Sequence, residues 1–239
     1  MSTAAPVPET LAWLRSELAS AADPKFRDGQ KWFFKEPVDP YGVRTVHLHR
    51  IVRDLYKRVK GWRAADRNRL CTAMWKNRKL EESIAVCHLY RRFASECAEC
   101  EFRLFERWLD RFVMTWATCD GLSTWLLAAS LQNEPKLIGE LAGWTTSPNR
   151  WRRRSSAVSL LQEAKSGRNL DVILDIATRL AGDRDDMVEK GVGWLLKETY
   201  PQHPLAVVGF LRENRARFSR TTLRYAAEKM TPAHRKLAL

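Results

Sequence analysis

Apolar residues in this chain recur every three or four positions, and the runs they form are interrupted every ~8 to 16 residues by proline, glycine, asparagine or aspartate. Phe102, Phe105, Leu109, Phe112 and Trp116 make one such run. Leu48, Ile51, Val52, Leu55 and Val59 make another, and Leu170, Ile173, Leu174, Ala177 and Leu180 a third. With about 3.6 residues to a turn, each run lines one face of a helix. Val46 to Ile51 alternates briefly through His47 and His49, then lapses into helical spacing, so a helix is predicted from about Thr45 and no sheet is expected.

Breaks fall at Asp23-Pro24, the Pro37 to Gly42 loop, Gly61, Asn77, Asp120-Gly121, Glu134-Pro135, Ser147-Pro148-Asn149, Gly167, Gly182, Pro201 to Pro204 and Thr231-Pro232. They predict about thirteen helices, spaced as helix-pair repeats of roughly 35 to 47 residues would space them. One helix pair cannot bury both of its apolar faces, whereas stacked pairs can. The expected fold is therefore all-α: a curved solenoid of stacked helix pairs, forming a single domain over residues 1–239, with a concave face suited to an extended ligand.

Charge suggests what that ligand is. Lysine and arginine number 41 against 28 acidic residues, a net charge of +13, which fits a polyanion: nucleic acid, an anionic membrane surface or an acidic protein. The five cysteines are odd in number and scattered, which suits a reducing compartment. Met1 to Glu9 has neither a basic start nor an apolar run, and no stretch nears the roughly 20 apolar residues of a membrane span. The expectation is a cytoplasmic or nucleoid-associated protein without a membrane partner. Cys97-x-x-Cys100 has no second pair beside it, the five histidines are dispersed, and no phosphate-binding glycine loop occurs, so neither metal nor cofactor is predicted.

Three segments stand out. Arg150, Arg152, Arg153 and Arg154 follow Pro148 and Asn149, where a helix should start with Asn149 as its cap. Free backbone N–H groups and guanidinium groups there would make a phosphate site, although arginines at a helix N-terminus oppose its dipole. Arg212, Arg215, Arg217, Arg220 and Arg224 form a second basic cluster; a solvated face is the other reading of both. Trp116 and Asp120 stand four apart, on one helical face if the helix persists, or else as a core indole and a cap for the next helix. Gly191 and Gly193 flank Val192 just before Trp194; two helical glycines cost roughly 1 kcal/mol each relative to alanine, so something must approach closely there.

Trp116-x-x-x-Asp120, Asn149-Arg150-Trp151-Arg152-Arg153-Arg154, and Gly193-Trp194 followed by Lys197-Glu198-Thr199-Tyr200 and Pro204 resemble the AlkD-type HEAT-like-repeat DNA glycosylases of alkylation repair. Lys35-Glu36-Pro37-Val38 and Tyr41-Gly42-Val43-Arg44-Thr45 are similar to an early loop of that family, so the resemblance runs from about Asp28 to Leu223. It implies a stack of HEAT-like repeats with a basic concave face, in which Trp116, Asp120 and Trp194 are catalytic and Arg150, Arg152, Arg153 and Arg154 bind DNA, Arg154 beside the lesion strand. Trp116 to Arg154 is 38 positions and Arg154 to Trp194 is 40, about one repeat each, which would let them converge on one surface.

The chemistry implied is monofunctional release of N3- or N7-alkylated purines from double-stranded DNA, by a monomer. Such a base is cationic and already a good leaving group, so what needs stabilising is the positive charge that grows on the deoxyribose, a task suited to a carboxylate between two indole faces. The resemblance also implies a backbone-gripping mode without a deep base pocket. No lysine neighbours the three residues in sequence, so no Schiff base is expected. Two alternatives remain: a non-catalytic relative that recognises DNA structure, and a helical scaffold for acidic proteins.

Overall fold

The computed structural model describes Pro6–Leu239; residues 1 to 5, part of the stretch read for a targeting signal, lie outside the described residues. The α-helices run in chain order α1 Val7–Ser20, α2 Pro24–Phe33, α3 Thr45–Val59, α4 Ala64–Lys76, α5 Leu80–Tyr90, α6 Glu99–Phe112, α7 Trp116–Gly121, α8 Ala128–Asn133, α9 Leu141–Trp144, α10 Arg150–Val158, α11 Leu161–Ser166, α12 Leu170–Arg179, α13 Asp186–Thr199, α14 Pro204–Asn214, α15 Arg220–Ala226 and α16 Pro232–Ala238. Among the described residues every named element is helical, as the apolar spacing predicts, and no helix is long and apolar enough to cross a membrane.

The chain divides into two compact units. One runs up to Glu96 and includes Arg111–Gly121; the other comprises Cys97–Asp110 and Leu122–Leu239. In the first, alternate helices stack: α1 on α3, α3 on α5, and α5 on α7. In the second, α10 packs on α13, α13 on α15, and α14 on α16. This alternate-neighbour stacking is how repeated helix pairs bury the faces that one pair leaves open.

Local chemistry sets several helix ends. The Asp23 carboxylate accepts from the backbone N–H of Lys25 and Phe26 at 2.9 and 3.2 Å, with Pro24 in the first turn of α2. Asn149 caps α10 by accepting from Trp151 N–H at 3.0 Å, and Gly167, at φ +72°, closes α11 in the left-handed conformation. The break expected at Asp120-Gly121 does not occur. α7 carries both residues and is followed by a π-helical turn, Leu122–Leu127, whose wider winding absorbs Gly121 without ending the helical conformation.

The first unit buries two carboxylates among its apolar residues. Glu81 and Glu82 of α5 are 1% and 0% exposed. Glu81 accepts the backbone N–H groups of Tyr41 (2.8 Å), Gly42 (2.9 Å) and Val43 (2.9 Å). Glu82 takes Arg15 (3.1 Å), the Tyr41 hydroxyl (2.8 Å) and Asn77 (2.5 Å). Burial and the Glu82 carboxylate push the Tyr41 phenol well above its ordinary range, so it stays protonated and donates. Cys71, Cys87 and Cys119 are buried in the same unit, where desolvation raises the thiols of Cys71 and Cys87 and keeps them unreactive.

Candidate functional site

α7 begins with Thr115 as its cap: the Thr115 hydroxyl accepts from Thr118 N–H at 3.3 Å, and its carbonyl from Cys119 N–H at 3.0 Å. Trp116 and Asp120 then lie one turn apart on this helix, and both are half-buried. Asp120 is therefore not the cap of a following helix, and Trp116 is not a fully buried core residue. Cys119, between them in sequence, points into the core at 0% exposure.

The Trp116 ring packs tilted against Phe34 at 5.6 Å and edge-on to Phe33 at 5.9 Å. Phe33 is 68% exposed and its neighbour Trp32 92% exposed, and α2 contributes no buried residue at all. The indole is thus one member of an aromatic ledge open to solvent. The sequence carried a signal for this ledge that motif reading passed over: three consecutive aromatics, Trp32 to Phe34, cannot all face a core from one helix.

In the second unit, α13 carries Gly191, Gly193 and the half-buried Trp194. The close approach inferred from the glycines is present at both, with a different neighbour at each. A Cβ on Gly191 would lie 3.2 Å from Cγ of Arg154, so the arginine stem fills that space. A Cβ on Gly193 would lie 2.5 Å from Cβ of Tyr225 and 2.9 Å from the Thr222 carbonyl oxygen, so here α15 itself is the neighbour. Gly193→Ala is expected to cost about 2 kcal/mol through this overlap with backbone and to lower the melting temperature by about 4–8 °C. A thermal scan checks it, and an unchanged midpoint would show that the α13–α15 spacing does not depend on the glycine. The neighbouring motif residues tie this unit together: Lys197 pairs with Glu228 at 2.8 Å, Glu198 with Lys229 at 2.7 Å, and the Tyr200 hydroxyl meets His234 Nδ1 at 2.9 Å.

The four arginines of α10 sit at its start, as their positions require, but with partners from their own chain. Arg150 pairs with Asp185 at 3.2 Å and lies over the Trp151 ring. Arg152 binds Asp110 at 2.6 Å and also Glu106. Arg153 binds Asp183 at 2.6 Å and donates to the Ser147 carbonyl at 2.9 Å. Arg154 is 5% exposed and donates to the Met187 carbonyl, which leaves little of it for a phosphate. The unfavourable placement of positive charge at a helix N-terminus is thus offset by acids brought in from α6 and from the segment at Asp183 to Asp185. The second basic cluster is exposed; there Arg217 donates to the Thr178 carbonyl at 2.9 Å. Cys97 is buried and Cys100 exposed, and among the described residues no group of three His, Cys, Asp or Glu is placed to hold a metal.

The fold is that of a protein built from stacked helices. The sequence profile described as "DNA alkylation repair enzyme" matches residues 14–230, and the chain belongs to that family. No curated protein matches it significantly. Its fold is similar to a predicted DNA alkylation repair enzyme from Enterococcus faecalis, with a TM-score of 0.79 and 14% identity over 88% of this chain and 97% of that one. It is also similar to the Pseudomonas fluorescens alkylpurine DNA glycosylase AlkC bound to DNA containing an abasic site analog, with a TM-score of 0.54 and 15% identity, covering 93% of this chain and 62% of that one.

Proposed function

We propose that this protein is a monofunctional alkylpurine DNA glycosylase, acting as a monomer on N3- or N7-alkylated purines in double-stranded DNA of the cytoplasm or nucleoid. The observation that carries the reading is α7: a half-buried carboxylate, Asp120, one turn from an indole, Trp116, that belongs to a solvent-open aromatic ledge. Membership of a DNA alkylation repair family and a net charge of +13 support a DNA substrate. An abasic site, present as an analogue in the AlkC complex, is what base excision leaves behind.

In this mechanism the C1′–N bond breaks with both electrons going to the cationic base, which leaves neutral. Positive charge appears on the deoxyribose, where the Asp120 carboxylate stabilises it and the face of Trp116 adds about 0.5–2 kcal/mol of cation–π attraction. Water then adds its oxygen to C1′, and its proton passes to Asp120 or to solvent. Trp194 is the second indole of this reading, as the family resemblance implies. Of the α10 arginines assigned to DNA by the same resemblance, Arg150, Arg152 and Arg153 would have to exchange a carboxylate for a phosphate, and Arg154 acts by holding α10 to α13.

The test is incubation of methylated duplex with the protein, followed by measurement of free 3-methyladenine and 7-methylguanine. Release of free base with alkali-labile abasic sites left in the strand is expected. Salt-sensitive duplex binding without release would replace this reading with the non-catalytic one.

A further inference from the structure

α2 carries a cavity that neither the core of the first unit nor the proposed chemistry uses. Spacings of three and four bring Phe26, Gly29, Gln30 and Phe33 to one side of the helix, and with Phe34 and Arg44 they line an open cavity of about 570 Å³. α2 buries none of its residues, so these side chains are not placed there by core packing. Phe33 and Phe34 are also the rings that pack against Trp116, at 5.9 and 5.6 Å. The cavity therefore adjoins the indole that the proposed reaction places at the sugar.

Two features of its wall have no explanation within the chain. Gly29 lies inside α2, where glycine is less favourable than alanine, yet a Cβ built on it meets no heavy atom within 4 Å. At Gly191 and Gly193 a neighbouring residue occupies the space that the glycine leaves; at Gly29 that space belongs to the cavity. Gln30 adds an unmet polar atom, because its Oε1 is buried and has no hydrogen-bond partner among the described residues. Arg44, by contrast, is already engaged: its guanidinium lies over the Phe26 ring at 5.3 Å and pairs with Asp23 at 2.9 Å. Such a wall selects a flat aromatic ligand with both N–H and ring nitrogen on its edge. Phenylalanine faces stack on the ring, the bare backbone at Gly29 lets it approach, and a glutamine amide matches the donor–acceptor edge of an adenine.

We propose that the α2 cavity is a binding site for the free purine base, taking up the neutral alkylpurine once the C1′–N bond has broken. A base held by α2 is kept from returning to C1′, where water has to add. The backbone-gripping mode that the family resemblance implies concerns the base while it is attached to DNA; this site is open and acts after detachment. The inference rests on the glycosylase reading for the identity of the base.

The experiment titrates the full chain with free 3-methyladenine, without DNA, by saturation-transfer NMR. Wild type is expected to bind it saturably, with a dissociation constant on the order of 1 mM. Gly29→Leu, whose side chain fills the cavity, and Phe26→Ala, which removes one stacking face, should each weaken binding about tenfold or more. Neither takes a residue from the core, since α2 buries none. Gly209→Leu, at a glycine of α14 with the same open space, should bind as wild type does. No saturable binding to wild type, unchanged binding in either cavity variant, or an equal loss in the control would overturn the proposal. Quinoline, a flat ring pair without an N–H donor, should bind about fivefold more weakly or worse. Equal binding of quinoline would make the cavity a general apolar pocket and the purine assignment wrong. A wild type that binds the free base and releases none from methylated duplex refutes the glycosylase reading and leaves a purine site standing; one that releases base without binding it refutes the site alone.

Discussion

Asp120→Asn is expected to lower the single-turnover rate of base release by about 10²–10³-fold or more, while duplex affinity stays within about twofold of wild type. Asparagine matches aspartate in shape, so the substitution removes the charge with little change in volume. A fixed carboxylate facing a sugar that becomes cationic is stronger in the transition state than in the ground state, and loss of one such preorganised electrostatic partner costs about 2.7–4 kcal/mol of barrier. Cap geometry keeps the test clean, because α7 is started by Thr115 and not by Asp120. Affinity holds because the phosphates attract the cationic surface, and removing an anion can only strengthen that attraction slightly. The measurement is free base released under enzyme excess, alongside anisotropy on the same duplex. A variant that cuts at the wild-type rate would place the sugar's stabilisation on another group and remove Asp120 from the mechanism.

What could be read from sequence followed the range of the interaction. The start of α3 at Thr45, the Asn149 cap and the Gly167 stop depend on residues a few positions apart, and each is where the sequence put it. The π turn after Gly121 was not legible, because an aspartate–glycine pair reads as an end, and only the packing of Leu122 to Leu127 decides otherwise. The basic run on α10 was plain, yet its charge balance was not. Arg152 meets acids 42 and 46 positions away and Arg153 one 30 positions away, pairings that only the folded chain brings together. The glycines of α13 announced a close approach, while the identity of what approaches, an arginine stem at one and a neighbouring helix at the other, depended on tertiary packing. Trp116 and Asp120 were singled out by spacing and given chemical meaning by resemblance; the ledge beside Trp116 came from α2, about eighty positions upstream in sequence and roughly two repeats away.

Glu81→Gln is expected to destabilise the 239-residue protein by about 2–3 kcal/mol, seen as a fall of roughly 5–10 °C in its melting temperature. Glutamates in the first turn of a helix are ordinarily solvated, but the Glu81 carboxylate is buried and takes three backbone N–H groups from the loop at Tyr41 to Val43. A glutamine offers one acceptor oxygen and turns an N–H₂ toward a backbone donor, so at least one buried N–H loses its partner and the charge-assisted bonds are weakened. The consequence extends along the chain. Gly42, at φ +90° and too close to the Asp23 carbonyl for any Cβ, accepts the Asp23 N–H at 2.9 Å, and Asp23 caps α2. Because α2 buries nothing of its own, its position depends on this loop and on the packing of Phe33 and Phe34 against Trp116. Glu81 is therefore a positioning residue for the aromatic ledge, and base release should weaken in the variant even well below its melting temperature. Hydrogen exchange separates this from general loosening: the Tyr41, Gly42 and Val43 amides should lose protection while those of α10 and α13 keep it. A variant that melts with wild type and keeps those three amides protected would show that the loop is held by its other interactions.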